Sequence, residues 1–183
     1  SEQEGRQIIT ALRELPAVLQ KQLADITAIE SIATQYASMQ NCMFIGRHAH
    51  APIAAEGALK LKEVSYVHAE AYAGGELKHG PIALLDEHFP VIALAPEDAL
   101  FEKMISNIEE VKARGAPVIA VTTAGAPGIA TLADSVITVP RVHPMLQPIV
   151  STIPLHLFAY YVGTARGLNV DRPRNLAKSV TVE

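Results

Sequence analysis

Three short apolar runs constrain the fold of this chain more than any other feature. They read VIALAP at 91–96, PVIAVTT at 117–123 and SVITVP at 135–140, and all contain β-branched residues. A helical pattern at 97–114 separates the first two, and Gly115 is well placed to end that helix. Strands that are apolar throughout and separated by helices predict an α/β fold with a parallel sheet buried on both faces. Ligands of such sheets bind beyond the carboxyl ends of the strands.

The part of the chain before these runs is predicted to be mainly helical. Apolar residues at helical spacing cover 2–15, where Pro16 is expected to interrupt the helix, and continue at 17–23 and 26–37. The run CMFIG at 42–46 then predicts the first strand. The sheet is therefore expected to follow a helical lead-in.

Length and composition indicate one globular domain with a sizeable core, since 49% of the 183 residues are hydrophobic. We divide the chain into a helical lead-in at 1–40, a sheet domain at 41–169 and an extended polar tail at 170–183. The apolar stretch at 145–163 is interrupted by prolines and a histidine. It is expected to be a buried core segment rather than a membrane span.

Charge and cysteine content narrow the possible partners. The formal net charge of −4, with dispersed basic residues, leaves no electrostatic footprint for nucleic acid. Cys42, the single cysteine, lies in the first predicted strand, which excludes a disulfide framework and a cysteine metal cluster. We therefore expect a chain from a reducing cytoplasm, without nucleic-acid or membrane partners.

Two further patterns are weak candidates for ligand binding. His48 and His50 form an HxH pair that could bind a metal, but a hydrogen bond or a helix cap accounts for either one. The segment at 122–128, TTAGAPG, offers hydroxyls and glycines near a strand end but lacks the lysine of a P-loop. An ordinary strand-to-helix turn is the favoured interpretation of that segment. No metal and no cofactor is expected.

The segment 56–81, EGALKLKEVSYVHAEAYAGGELKHGP, contains the side chains with the most chemistry. Glu56, Lys60 and Glu63 have the spacings i, i+4 and i+7, so they share one face of a predicted helix. A carboxylate beside an ammonium suits proton transfer, because the partner and burial shift its pKa. The same spacing also occurs on solvated faces, where each ion pair contributes only about a few tenths of a kcal/mol. Spacing alone leaves both interpretations open.

Glycines frame the second half of that segment. Gly74, Gly75 and Gly80 argue against a continuous helix, so a short turn is expected to carry the residues ELKH. His79 then lies on an irregular surface segment, where an imidazole can act as an acid or base near neutral pH. A loop histidine that hydrogen-bonds a carbonyl is the alternative. His68 is expected to be a packed structural histidine.

Three motifs, in this order, resemble the carboxyl-terminal part of the glucosamine-6-phosphate synthase family, the isomerizing glutamine:fructose-6-phosphate aminotransferases. They read EGALKLKE, AEAYAGGELKHGP and DRPRNLAKSVTVE, and the resemblance covers essentially the whole chain. It implies a flavodoxin-like parallel sheet between helices. Residues 41–169 would be the second of two sugar isomerase (SIS) domains, and the tail at 170–183 would close over the active site.

The resemblance also implies an activity and its residues. The family makes glucosamine 6-phosphate and glutamate from fructose 6-phosphate and glutamine. By resemblance, Glu63 shuttles a proton between C1 and C2 of the sugar, and Lys60 assists proton movement at a sugar hydroxyl. His79 resembles the ring-opening residue, which is contributed across a homodimer interface. Lys178 resembles a tail lysine that engages the sugar carbonyl, and Ala177 adds a backbone contact. From spacing alone, Lys178 could equally be a solvated charge.

The parts of that family absent from this sequence limit the expected activity. The phosphate-binding loop belongs to the first SIS domain and the glutamine-hydrolysing cysteine to a separate glutaminase domain. We therefore expect a fragment that is inactive alone and that works with those missing domains. A non-catalytic phosphosugar-sensing SIS domain and a fructosamine-phosphate deglycase remain alternatives. The ending NLAKSVTVE favours the synthase by resemblance.

Overall fold

The sheet of this chain is parallel throughout. The computed structural model describes residues 1–176, in which five strands have the order β2-β1-β3-β4-β5. The strands are β1 (Asn41–Gly46), β2 (His68–Ala73), β3 (Val91–Leu94), β4 (Val118–Thr123) and β5 (Ser135–Val139). This is the flavodoxin-like order, so the fold class predicted from the apolar runs is confirmed.

Helices cover both faces of the sheet. Those of the described part are α1 (Glu2–Ala24), α2 (Thr27–Gln35), α3 (His50–Ser65), α4 (Phe101–Lys112), α5 (Ile129–Leu132) and α6 (Gln147–Ala165). Two short 3-10 helices, Gly74–His79 and Pro81–Leu84, follow β2. One core joins the sheet to α2, α3 and α6, and the other joins it to α4, α5 and the segment after β2.

Strand β1 shows why the fold needs two helical layers. Cys42 and Phe44 belong to the core beneath α3 and α6, whereas Met43 and Ile45 belong to the core beneath α4. All four side chains are fully buried. Because side chains alternate along a strand, an unbroken apolar run must be covered on both sides.

The prediction that Pro16 interrupts the first helix was wrong. Helix α1 continues through Pro16 to Ala24 and begins with a capping box between Ser1 and Glu4. A proline removes one backbone hydrogen bond within a helix. Since α1 is long and largely exposed, water can take the place of that bond.

Strand β2 was missed by the sequence analysis, and the prediction for His68 was wrong. The strand HAEAYA lacks β-branched residues and lies at the edge of the sheet. His68, with 65% of its side chain exposed, lies near Glu70 on this edge instead of packing in the core. An edge strand requires fewer apolar side chains than a central strand, which explains the weak signal.

The apolar stretch at 145–163 forms most of α6 and packs in the core, as predicted. Leu155 and Phe158 are fully buried against the sheet. Among residues 1–176, no helix combines the length and apolar character needed to cross a bilayer.

Gly57 permits the close approach of α3 to the sheet and to α6. A Cβ atom at Gly57 would lie 2.8 Å from Leu155 Cδ1 and 2.8 Å from Phe44 Cε1. We expect Gly57→Ala to lower the free energy of unfolding. Overpacking costs about 1–3 kcal/mol, whereas the higher helix propensity of alanine stabilises the helix by only about 1 kcal/mol. Denaturant unfolding of the variant measures the change.

Gly5 in α1 provides the matched control for that substitution. A Cβ atom there has no neighbour within 4 Å, so Gly5→Ala should stabilise the chain through helix propensity alone. Equal shifts of the unfolding midpoint for the two variants would contradict the packing argument.

Candidate active site

Lys60 and Glu63 form an ion pair in the last two turns of α3. Lys60 Nζ lies 2.5 Å from Glu63 Oε2, and the two side chains are 31% and 27% exposed. The hydrogen bond to Glu63 raises the pKa of Lys60, and partial burial opposes this shift. The structure therefore brings two of the predicted site residues together, as a partly desolvated ammonium and carboxylate.

Glu56 forms a different contact from the one its helical spacing suggested. Its Oε1 atom lies 3.0 Å from Nε2 of His156 on α6. The charge of Glu56 adds only a minor electrostatic contribution to Lys60. The face shared by Glu56, Lys60 and Glu63 is thus divided between a pair within α3 and a bridge from α3 to α6.

The chain after α6 returns to the end of α3. The backbone N–H of Arg174 donates to Tyr66 Oη at 2.8 Å, and its guanidinium lies 4.2 Å from the centre of the Tyr66 ring. Tyr66 caps α3 only three residues after Glu63. The predicted tail residues Ala177 and Lys178 lie outside the described residues. In sequence they follow directly on the segment that contacts Tyr66.

His79 is the last residue of the Gly74–His79 turn and is exposed. The turn forms where the glycines predicted it, and Gly80, with φ of 142°, ends it in a backbone conformation that favours glycine. The turn follows the carboxyl end of β2, at the sheet edge where ligands of parallel sheets bind.

The structure does not bring His79 and Glu63 together within one chain. Glu63 lies near the start of β2 and His79 beyond its end, because α3 leads into β2 and the turn follows it. The six residues of β2 span about 20 Å at roughly 3.3 Å per residue. One chain therefore holds a carboxylate–ammonium pair near the amino end of β2 and a separate imidazole beyond its carboxyl end.

The HxH pair provides a structural histidine. His50 is buried, and its Nε2 atom lies 3.2 Å from Ser151 Oγ on α6. Burial lowers the pKa of His50. Among residues 1–176, no three histidine, cysteine or acidic side chains are grouped as a metal ion would require. Cys42 is buried within β1, and burial raises the pKa of its thiol.

A polar cavity of about 260 Å³ beneath the Gly74–His79 turn was not predicted from the sequence. It is lined by Arg47, Gly74, Gly75, Lys78, Lys103, Ser106, Asn107 and Glu110. The only local sequence feature that pointed to this cavity was the pair Gly74 and Gly75, since glycines allow the close approach of another element. Their partner on α4 is distant in sequence and shows no local pattern.

Comparison with known proteins relates this geometry to a family. A model of the SIS domain matches residues 35–165. Glutamine–fructose-6-phosphate aminotransferase (isomerizing) of Thermus thermophilus is 52% identical over 181 residues, which are 99% of this chain and 30% of that protein. The protein of the same name from Zymomonas mobilis is 50% identical over 186 aligned residues, again with 30% of its length covered. The chain thus spans about 30% of the length of these curated relatives.

A solved structure agrees with these sequence matches. It is the C-terminal domain of glucosamine-fructose-6-phosphate aminotransferase from Francisella tularensis, with a TM-score of 0.86 and 38% identity. The match covers 94% of this chain and 48% of that structure. The similarity therefore extends over both the helical layers and the sheet.

The Lys60–Glu63 pair predicts a selective change in proton affinity. Glu63→Gln should lower the pKa of Lys60, because the variant loses both the hydrogen bond and the negative charge that raise it. Glu56→Gln is the matched control and should lower this pKa less, since only a weaker electrostatic contribution is lost. NMR titration of the Lys60 side chain measures both. Equal decreases would contradict the assigned pairing.

Proposed function

The chain belongs to the SIS domain family, and we propose that it is the isomerase part of an enzyme that makes glucosamine 6-phosphate and glutamate from fructose 6-phosphate and glutamine. The observation that carries the proposal is the Lys60–Glu63 pair in the last turns of α3, the helix whose capping residue, Tyr66, contacts the returning tail. Relatives that bear this activity in their names match along the whole chain. The remaining length of those relatives accommodates a first SIS domain and a glutaminase domain.

The central step of this reaction is proton transfer between neighbouring carbons. Once ammonia has formed an imine at C2, the Glu63 carboxylate takes a proton from C1. The C1–C2 double bond forms as the electron pair of the C2–N double bond moves to nitrogen, which takes up a proton. Glu63 then returns its proton to C2, while the C1 hydroxyl releases a proton, which balances the one taken up by nitrogen, and C1 becomes the aldehyde carbon. The raised pKa of Lys60 keeps its ammonium charged, so it can stabilise negative charge that develops on the sugar oxygen.

His79 opens the sugar ring of the neighbouring subunit in this proposal. The furanose ring opens when an acid protonates the ring oxygen and a base takes the proton of the C2 hydroxyl, and an imidazole can perform such transfers near neutral pH. The distance between His79 and Glu63 along the sheet supports an arrangement in trans. A homodimer related by two-fold symmetry would then contain two sites, each with Glu63 of one subunit and His79 of the other.

The tail completes the proposed site. Lys178 engages the sugar carbonyl, and the backbone of Ala177 contacts the substrate. The contact between Arg174 and Tyr66 supports this role, because it holds the preceding residues at the end of α3.

The proposed organisation keeps the lead-in at 1–40, the second SIS domain at 41–169 and the closing tail at 170–183. The chain alone lacks the phosphate-binding loop of the first SIS domain and is inactive in this proposal. The enzyme works in the cytoplasm, where the buried thiol of Cys42 stays reduced.

Glu63→Gln in the full-length enzyme tests the proposed base. We expect kcat for glucosamine 6-phosphate formation to fall by about 100-fold or more, the size of a lost acid–base group. Binding of fructose 6-phosphate, measured by calorimetry, should change little. Glu102→Gln on the exposed side of α4 is the control and should leave both unchanged. Sugar binding by an unaltered enzyme that forms no product would favour a phosphosugar sensor instead.

Mixed dimers test whether His79 acts across the interface. Glu63→Gln and His79→Ala subunits should each give nearly inactive homodimers. A mixed dimer would have one site with both changes and one intact site, so random mixing should restore about a quarter of the normal activity. Assay of the two variants unfolded and refolded together measures this recovery. Activity that stays at the level of the separate variants would show that both residues serve the same subunit.

A further inference from the structure

The Gly74–His79 turn is held against α4 by its first and central residues. Leu77 is fully buried in the core that contains Met104 of α4. A Cβ atom at Gly74 would lie 2.5 Å from Asn107 Oδ1 and 3.3 Å from Met104 Sδ. Gly74 therefore rests directly on the Asn107 side chain, and a larger residue there would require that side chain to shift.

Asn107 is a polar residue on the buried face of α4 and is only 3% exposed. Its Oδ1 accepts a hydrogen bond of 2.9 Å from Arg47 Nε, and its Nδ2 donates one of 3.3 Å to Glu110 Oε2. A buried amide is costly unless its hydrogen bonds are made, so this network favours one arrangement of the side chains. Asn107 thereby joins α4 to the residue that follows β1.

Glu110 extends the network to the residue before His79. Its Oε1 atom lies 2.7 Å from Lys78 Nζ, and its own side chain is 20% exposed. Burial opposes ionisation of Glu110, but hydrogen bonds from Lys78 and Asn107 outweigh it, so the pKa of Glu110 lies below its ordinary value. The carboxylate is therefore charged at neutral pH and links Lys78 to Asn107.

The turn has little internal support for holding an imidazole in place. A 3-10 helix has poorer hydrogen-bond geometry than an α-helix and is seldom longer than a few residues. Gly75 within the turn and Gly80 directly after it add backbone freedom. Contacts from α4 supply the missing constraint at the start, the middle and the end of the turn.

We infer that Asn107 and Glu110 are positioning residues that orient His79 for ring opening. The inference rests on the proposed function, because Asn107 and Glu110 would act through His79 and are assigned no contact with the sugar. An acid–base group must be held within about 0.5 Å of its productive position, and a displacement of about 1 Å can cost 100-fold in rate. The network extends from Arg47 through Asn107 and Glu110 to Lys78, which adjoins His79.

Asn107→Leu in the full-length enzyme is the first test, because leucine has a similar size and makes neither hydrogen bond. Hydrogen exchange should become faster over residues 74–79, and kcat should fall by about tenfold or more with KM less affected. Ser106→Ala is the matched control, since Ser106 lines the same cavity and its hydroxyl donates to the Glu102 carbonyl within α4. Unchanged exchange over the turn in Asn107→Leu would overturn the inference.

A double-mutant cycle with His79→Ala separates positioning from a general loss of structure. If Asn107 acts through His79, Asn107→Leu should lower kcat in the normal enzyme but change it less than about twofold in the His79→Ala background. Equal decreases in both backgrounds would overturn the inference. If Asn107→Leu fails to fold, the same cycle with Glu110→Ala tests the inference, because the Glu110 side chain is more exposed.

The controls also separate this inference from the proposed function. If the unaltered enzyme forms no glucosamine 6-phosphate, the proposed function fails, whatever the exchange data show. If the enzyme is active and His79→Ala leaves kcat unchanged, the ring-opening role of His79 fails, and the positioning role falls with it. An active enzyme with a His79-dependent effect of Asn107→Leu supports both.

Discussion

Burial of β1 on both faces is the constraint on which the rest of this structure depends. Because Phe44 and Ile45 point to opposite sides and both need apolar cover, helices must occupy both faces of the sheet. Helix α3 satisfies this need on one face by running back along β1 before the chain enters β2. That return path places Glu63 near the amino end of β2, while the parallel direction of β2 places His79 beyond its carboxyl end.

The geometry of a single parallel crossover thus separates the Lys60–Glu63 pair from His79 within one chain. The ammonium and carboxylate of Lys60 and Glu63 lie within one helix, where spacing of three residues brings them together. The six residues of β2 separate His79 from this pair along the chain direction of the sheet. In the proposed homodimer, two-fold symmetry would bring Glu63 of one subunit to His79 of the other without changing either chain. In the proposed enzyme, the contacts of α4 with the Gly74–His79 turn would give the exposed His79 the order that its role across the interface requires.

Several elements could be predicted because their signals are local. The central strands are continuously buried runs that contain β-branched residues, and the glycines around His79 indicated the turn correctly. Strand β2 was missed because an edge strand tolerates the alternating, alanine-rich sequence HAEAYA. Pro16 was misinterpreted because a long exposed helix can tolerate one missing hydrogen bond. These errors arose where the surroundings of a segment, rather than its own residues, decided its structure.

The sequence by itself determined the α/β class, the two-sided burial of the central strands and the shared helix face of Lys60 and Glu63. These features follow from the side-chain periods of two residues in a strand and 3.6 residues in a helix, which depend only on residues close together in sequence. Only the tertiary structure decided that Glu56 meets His156, 100 residues away, and that Asn107 meets Arg47, 60 residues away. Such contacts depend on strand order and helix packing, because residues distant in sequence become neighbours only after the sheet has formed.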